Sequence, residues 1–262
     1  MFTLHPENPH YFLFRGRPTI LLTSADHYGA VIHRQYDYAQ SLREIARHGL
    51  NHTRLFAGAY REVPGDFGIQ HNLLGPSDAD YVSPYLRLED GRYDLDTPNP
   101  EFFQRLSDYV RCASDLGIVV EINLFCPFYH EGIWSIFPMR AANNLQGVGG
   151  EDRLAFHSLG DARTVSYQKQ HVLRVLQTLN SFDNLYYEIM NEPWMCGSPW
   201  AWQLDMAEYI HQSERSMPQQ HLISLNPANG WERLEARAPI SIYNFHYASP
   251  PTCVAVNQHL PM

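Results

Sequence analysis

Cysteine is sparse in this 262-residue chain, and Cys112, Cys126, Cys196 and Cys253 form no C-x-x-C pair. That spacing excludes a zinc knuckle or a redox dithiol and leaves four free, mostly buried thiols. Basic residues are also few. Nineteen Lys plus Arg stand against 28 Asp plus Glu, for a formal net charge of -9, and no basic cluster breaks the acidic background. A nucleic-acid partner is therefore not expected. Long apolar runs are missing: the longest have the length of strands, and residues 1–18 show no basic segment followed by a hydrophobic one. Neither a membrane partner nor a secretory leader is predicted, and the expected location is cytoplasmic. Phosphate-binding glycine loops are absent as well. Neither G-x-G-x-x-G nor G-x-x-x-x-G-K-[ST] occurs, nor the helical zinc motif H-E-x-x-H, so no cofactor and no metal is expected.

What is present is enough apolar material for a core, with 44% hydrophobic and 13% aromatic residues. One globular domain over residues 1–262 is the expectation. β-rich runs fall at residues 18–24, 50–56, 118–125, 185–190, 221–225 and 240–245. Helical periodicity lies between them, most clearly where Tyr36, Leu42 and Ile45 precede Gly49, and where Asn99-Pro100-Glu101 opens a stripe ending at Gly117. Further helical patterns fill residues 165–179 and 202–211, and a long polar loop is predicted after the second strand. Strands separated by helices predict parallel pairing through right-handed crossovers. Without a phosphate loop, a closed barrel is favoured over a doubly wound sheet. In a barrel, chemistry gathers at the C-terminal ends of the strands.

At the end of the fourth predicted strand the chain reads Tyr-Tyr-Glu-Ile-Met-Asn-Glu-Pro-Trp, residues 186–194. This segment resembles the clan A glycoside hydrolases, particularly the family 5 cellulase-like enzymes, whose fourth barrel strand ends in Asn-Glu. The resemblance implies a TIM (β/α)8-type barrel and retaining hydrolysis of O-glycosidic bonds in an oligo- or polysaccharide, with Glu192 as general acid/base. It implies a sugar 2-hydroxyl contact for Asn191, and Arg54, at the end of the second strand, as support for the nucleophile. His246 and Tyr247 match the sixth strand, although the family places one residue between its His and Tyr and here they are adjacent. Trp194 and His27 complete the expected substrate-binding set. Trp134, Trp200 and Trp202 offer either stacking platforms or core packing. Glu192 is expected to have a pKa raised by partial burial and, in the complete enzyme, by a second carboxylate.

The same resemblance places the nucleophile on a glutamate ending a seventh strand. Residues 247–262 contain no Asp or Glu, and Asp205, Glu208, Glu214, Glu232 and Glu235 fall on predicted helices or connections. The expectation is thus an incomplete barrel of about six βα units whose nucleophile is missing from the chain, which alone would be inactive. The alternative is a catalytically silent carbohydrate-binding or remnant barrel. A third reading is a metal-dependent hydrolase using Asp26, His27 and His246.

Overall fold

The computed structural model describes residues 1–25 and 28–261. Three short strands, β1 (Phe2–Leu4), β2 (Phe12–Phe14) and β3 (Arg17–Thr19), open the chain as an antiparallel meander. The helices α1 (Gly29–Ile32) and α2 (Tyr38–Arg47) and the strand β4 (His52–Phe56) follow. The connection after β4 carries a hairpin, β5 (Tyr85–Arg87) and β6 (Tyr93–Pro98), where the sequence predicts only a polar loop. Then come α3 (Pro100–Asp115), β7 (Val119–Phe125), α4 (Glu131–Ser135), α5 (Ala162–Leu179), β8 (Leu185–Met190), α6 (Trp200–Glu214), β9 (Ile223–Leu225) and β10 (Ile242–Tyr243).

The helix ends follow the chemistry of the sequence. Asn99 accepts the backbone N–H of Glu101 and Pro100 stands in the first turn of α3, where a missing N–H costs nothing. Asp37 and Asp161 cap α2 and α5 in the same way. Gly49 and Gly117 follow α2 and α3 with φ of 76° and 73°, a left-handed turn that a side chain would oppose.

β4, β7, β8, β9 and β10 form one parallel sheet in the order β10-β9-β8-β7-β4. Its strands are neighbours in chain order, and α2, α3, α5 and α6 each pack on the next. A doubly wound sheet reverses strand order at a switch point. The unbroken order here is the arc of a (β/α) barrel. Ahead of β4, the predicted first strand is reduced to a single parallel bridge, Thr23 to His52, because Arg17–Thr19 is taken into the antiparallel meander. Asn51 holds this segment with its side chain, accepting from Leu22 N at 2.8 Å and donating to Ile20 O at 2.9 Å.

The meander closes one end of the arc. Phe2 stacks on Phe12 at 4.6 Å and on Tyr186 at 5.6 Å, joining Val119 and Ile242 at the starts of their strands in a buried cluster. Among the described residues no helix is long and apolar enough to cross a membrane.

Candidate active site

Side chains two apart on a strand share a face. On β4, Thr53 and Leu55 point to the helices, with the Thr53 hydroxyl 3.3 Å from Tyr109 of α3, so Arg54 points into the barrel. The same alternation sends Glu121 and Asn123 of β7 and Glu188 of β8 inward. Arg54 Nε donates to Glu121 Oε1 at 2.6 Å, and its Nη2 donates to Glu188 Oε1 at 2.8 Å and to Asn191 Oδ1 at 3.0 Å. The Arg54 side chain is 11% exposed and the two carboxylates 2% and 0%. Tyr186 donates to Glu121 at 2.8 Å, while Asn123 and Asn244 donate to Glu188 at 2.6 and 2.8 Å. Arg54 thus holds Asn191 in place from a buried charged cluster, and through it the corner that carries Glu192. The sequence expectations passed over Glu121 and Glu188. Their signal is a lone carboxylate inside otherwise apolar strands, VVEINLF and LYYEIM.

One cation cannot neutralise two buried carboxylates. Burial pushes both toward the neutral form, but Arg54 and the Tyr186 hydroxyl hold Glu121 well below the ordinary range. Glu188 goes the other way: burial first, then the nearby Glu121 charge, raise it and keep its proton. An unfolded glutamate releases its proton near 4.5. As pH rises above that value, the unfolded state sheds a proton that folded Glu188 retains, so this residue subtracts stability until its own raised pKa is passed. Glu188→Gln copies the protonated form and should remove the decline. The variant's stability relative to wild type, measured by urea unfolding, should improve between pH 5 and pH 8, by at most about 1.4 kcal/mol per pH unit. Parallel pH profiles for the two proteins would mean that Glu188 is ionised in the folded state.

Asn191 and Glu192 leave the C-terminal end of β8. Pro193 disfavours the right-handed helical region for the residue before it. Glu192 instead takes the left-handed conformation, φ 42° and ψ 55°, which costs a non-glycine residue about 1–2 kcal/mol. Asn226, just after β9, secures the strained corner by accepting Glu192 N at 2.7 Å. The Glu192 carboxylate then meets three donors: Tyr129 OH at 2.7 Å, Tyr247 OH at 2.5 Å and His246 Nδ1 at 3.3 Å. Tyr129 also accepts from Asn191 Nδ2 at 3.0 Å, tying the two neighbours together. Burial pushes the carboxyl up, but the bonds from His246, Tyr247 and Tyr129 outweigh it and hold the group down at about 2. Burial alone thus does not raise Glu192 in this chain, contrary to that part of the expectation, and the group is a fully hydrogen-bonded carboxylate.

The adjacency of His246 and Tyr247 has a backbone explanation. Consecutive residues of an extended strand face opposite ways, but Tyr247 has φ 55°, which breaks the alternation. Both side chains consequently reach Glu192 Oε1. Trp194 stands edge-on to them, 6.0 Å from the His246 ring and 6.3 Å from the Tyr247 ring. Trp134 and Trp202, offered as platforms, are 1% and 0% exposed and belong to the core, whereas Trp200 is 40% exposed. Asp26 and His27 lie outside the described residues.

Arg54, Asn191, Glu192, His246 and Tyr247 together border one cavity of ≈ 750 Å³, walled by Tyr28, Tyr60, Phe67 and Tyr129. Trp194 lines a second cavity of ≈ 460 Å³ with Trp200 and Trp231, beyond Pro193. Tyr129, Tyr60 and Asn226 come from connections after strands and had no periodic signal by which sequence alone could find them.

No protein-family model matches the chain, and no curated sequence does. Solved structures do. The exo-β-1,4-mannosidase Op5Man5 from Opitutaceae bacterium strain TAV5 aligns over 93% of this chain and 40% of its own, at 15% identity and a TM-score of 0.59. The endo-glycoceramidase II of Rhodococcus sp. aligns over 88% of this chain and 57% of its own, at 14% identity and a TM-score of 0.53. The hyperthermostable endo-1,4-β-D-mannanase of Thermotoga petrophila RKU-1 aligns over 84% of this chain and 58% of its own, at 14% identity and a TM-score of 0.51. The chain therefore spans between two fifths and three fifths of these proteins. The fold is therefore one that this chain shares with the mannosidase, glycoceramidase and mannanase structures.

Proposed function

We propose that the chain takes part in retaining hydrolysis of an O-glycosidic bond, with Glu192 as general acid/base. The observation that carries this reading is the strained Asn191-Glu192 corner at the C-terminal end of a barrel strand, opening on an aromatic-walled cavity. In retaining hydrolysis a carboxyl group protonates the leaving oxygen and later, as carboxylate, activates water. Glu192 is held in the second of these forms. To act as an acid it must gain a proton and lose a donor, and the donor that can yield is Tyr247, 71% exposed. Glycosidic oxygen entering that position replaces the phenol as the partner of Glu192.

Asn191 donates toward the sugar 2-hydroxyl, its amide orientation set by Arg54 on one side and Tyr129 on the other. Such a contact strengthens as positive charge builds at the anomeric centre. Asn191→Ala should therefore lower kcat by about 10- to 100-fold while changing KM little, as steady-state kinetics would register. A rise in KM alone would make Asn191 a plain binding residue.

The mechanism also needs a nucleophilic carboxylate about 5–5.5 Å from the acid. None of Asp205, Glu208, Glu214, Glu232 and Glu235 is among the described residues that line the Glu192 cavity; Asp205 pairs with Lys169 at 2.8 Å and Glu214 with His221 at 2.7 Å. Under this reading the nucleophile is a carboxylate that none of the five supplies. A second reading, carbohydrate binding without turnover, is favoured by the three donors that already occupy the Glu192 carboxylate. Since the structural neighbours include a β-1,4-mannosidase and a β-1,4-mannanase, the first probes are manno- and cello-oligosaccharides and 4-nitrophenyl β-glycosides. Hydrolysis supports the enzyme, and calorimetric binding without product supports the binding protein. Neither binding nor product would remove both.

A further inference from the structure

The Glu192 cavity has a second carboxylate on its wall, Glu62, in the connection after β4. Its neighbour Arg61 turns the other way, pairing with Asp78 at 2.7 Å over the ring of Tyr81. Glu62 turns into the cavity, and among the described residues it makes no ion pair. Tyr28 OH and Asn72 Nδ2 both donate to Glu62 Oε2, at 3.0 and 3.1 Å, and Asn72 also donates to the Tyr28 hydroxyl at 2.6 Å. Among the described residues Oε1 accepts only a long bond from Tyr60 OH, 3.5 Å. A carboxylate has about four acceptor positions. One oxygen is therefore locked by a rigid triangle, and the other keeps most of its capacity on the cavity side.

The contact chain from Glu192 to Glu62 runs through Tyr129 and Tyr60, whose rings lie 6.4 Å apart, edge to face. Phe67, 59% exposed, stands perpendicular to Tyr129 at 5.2 Å. Its loop is pinned by Asp66, which accepts from Val63 N at 2.8 Å and lies 2.9 Å from His130 Nε2. An open acceptor pair beside an exposed aromatic face is the combination that holds a sugar ring, because hydroxyls donate to the carboxylate while the apolar C–H face packs on the ring. Burial also raises the Glu62 pKa, so its charge lacks solvent and gains from new donors.

We propose that Glu62 is a hydroxyl acceptor for a second sugar unit, removed from the one at Glu192, and that Phe67 stacks on the same unit. The substrate class is then a neutral β-linked oligosaccharide of several units rather than a monosaccharide glycoside. This inference rests on the glycosidase reading above.

The test uses full-length protein carrying Glu192→Gln, so that ligand stays intact, titrated calorimetrically with mannotetraose, cellotetraose and the matching 4-nitrophenyl β-glycosides. Adding Glu62→Gln should weaken the tetraose that binds about 10- to 100-fold, the range for hydrogen bonds to a charged group, and leave the monosaccharide glycoside unchanged. Phe67→Ala, at an exposed site outside the core, should give the same length-dependent loss and serves if the Glu62 variant does not fold. Unchanged tetraose affinity, or equal losses for long and short ligands, overturns the Glu62 assignment alone. Failure of every sugar to bind the protein with Glu62 intact overturns the glycosidase reading and this inference with it.

Discussion

Glu192→Gln should lower turnover of unactivated oligosaccharides by about 10²- to 10⁴-fold, the usual contribution of general acid catalysis. Glycosides whose leaving group is a nitrophenolate need little protonation and should lose far less in the bond-breaking step. Gln is isosteric with Glu, accepts the same left-handed backbone and can keep its oxygen toward Tyr247 and His246 with its amide nitrogen toward Tyr129. The price in stability should stay near about 1 kcal/mol, because one of three hydrogen bonds becomes a donor facing a donor. Rates for a series of aryl glycosides of graded leaving-group acidity, with thermal unfolding as the control for fold, make the measurement. A uniform loss across the series would strip Glu192 of the proton-donor role and leave it as a binding carboxylate.

Arg54→Met should destabilise the fold by about 3–5 kcal/mol at neutral pH, since it leaves Glu121 buried with no cation. Met nearly matches the length of the stem, so the loss is one of charge and hydrogen bonds rather than of volume. The pH dependence identifies the cause. In wild type Glu121 is depressed, so its stabilising contribution is present above the ordinary carboxylate range and is lost as pH falls through its lowered pKa. In the variant Glu121 can keep a proton, so the deficit should shrink toward pH 4 and grow toward pH 7. Denaturant unfolding at both values measures it. A deficit constant with pH would point to packing. Asn191 loses its Arg54 bond in the same variant, so the strained corner at Glu192 should loosen, and turnover should fall even where the protein remains folded.

Much of the architecture was legible because it rests on local chemistry. The Asn99-Pro100 helix start, the stops at Gly49 and Gly117, and the parallel β-rich runs at residues 50–56, 118–125 and 185–190 all follow from caps, glycine conformation and periodicity. Where local signals compete, the reading was less sharp. Residues 18–24 have β propensity throughout, yet which partner each residue takes depends on the meander built by β1 and β2. The hairpin at residues 85–98 alternates weakly and carries the turn residues of a loop.

At the site the division is the same. Asn191, Glu192, His246 and Tyr247 could be picked out by sequence because they follow the ends of strands, where a barrel gathers its chemistry, whereas Arg54 stands in the middle of β4 and faces inward by strand alternation. The protonation of Glu192 could not be, because a pKa depends on donors brought from afar: Tyr129 is 63 residues away and Tyr247 is 55. The partition of one proton between Glu121 and Glu188 likewise requires Arg54, 67 and 134 residues away, within hydrogen-bond distance of both. Sequence alone determined the strand and helix order and placed the Glu192 carboxylate at a strand end, because hydrophobic period and backbone stereochemistry act over a few neighbouring residues. Tertiary structure decided the charge state of that carboxylate and which aromatic and acidic side chains face it, because electrostatic and hydrogen-bond energies depend on distance in space.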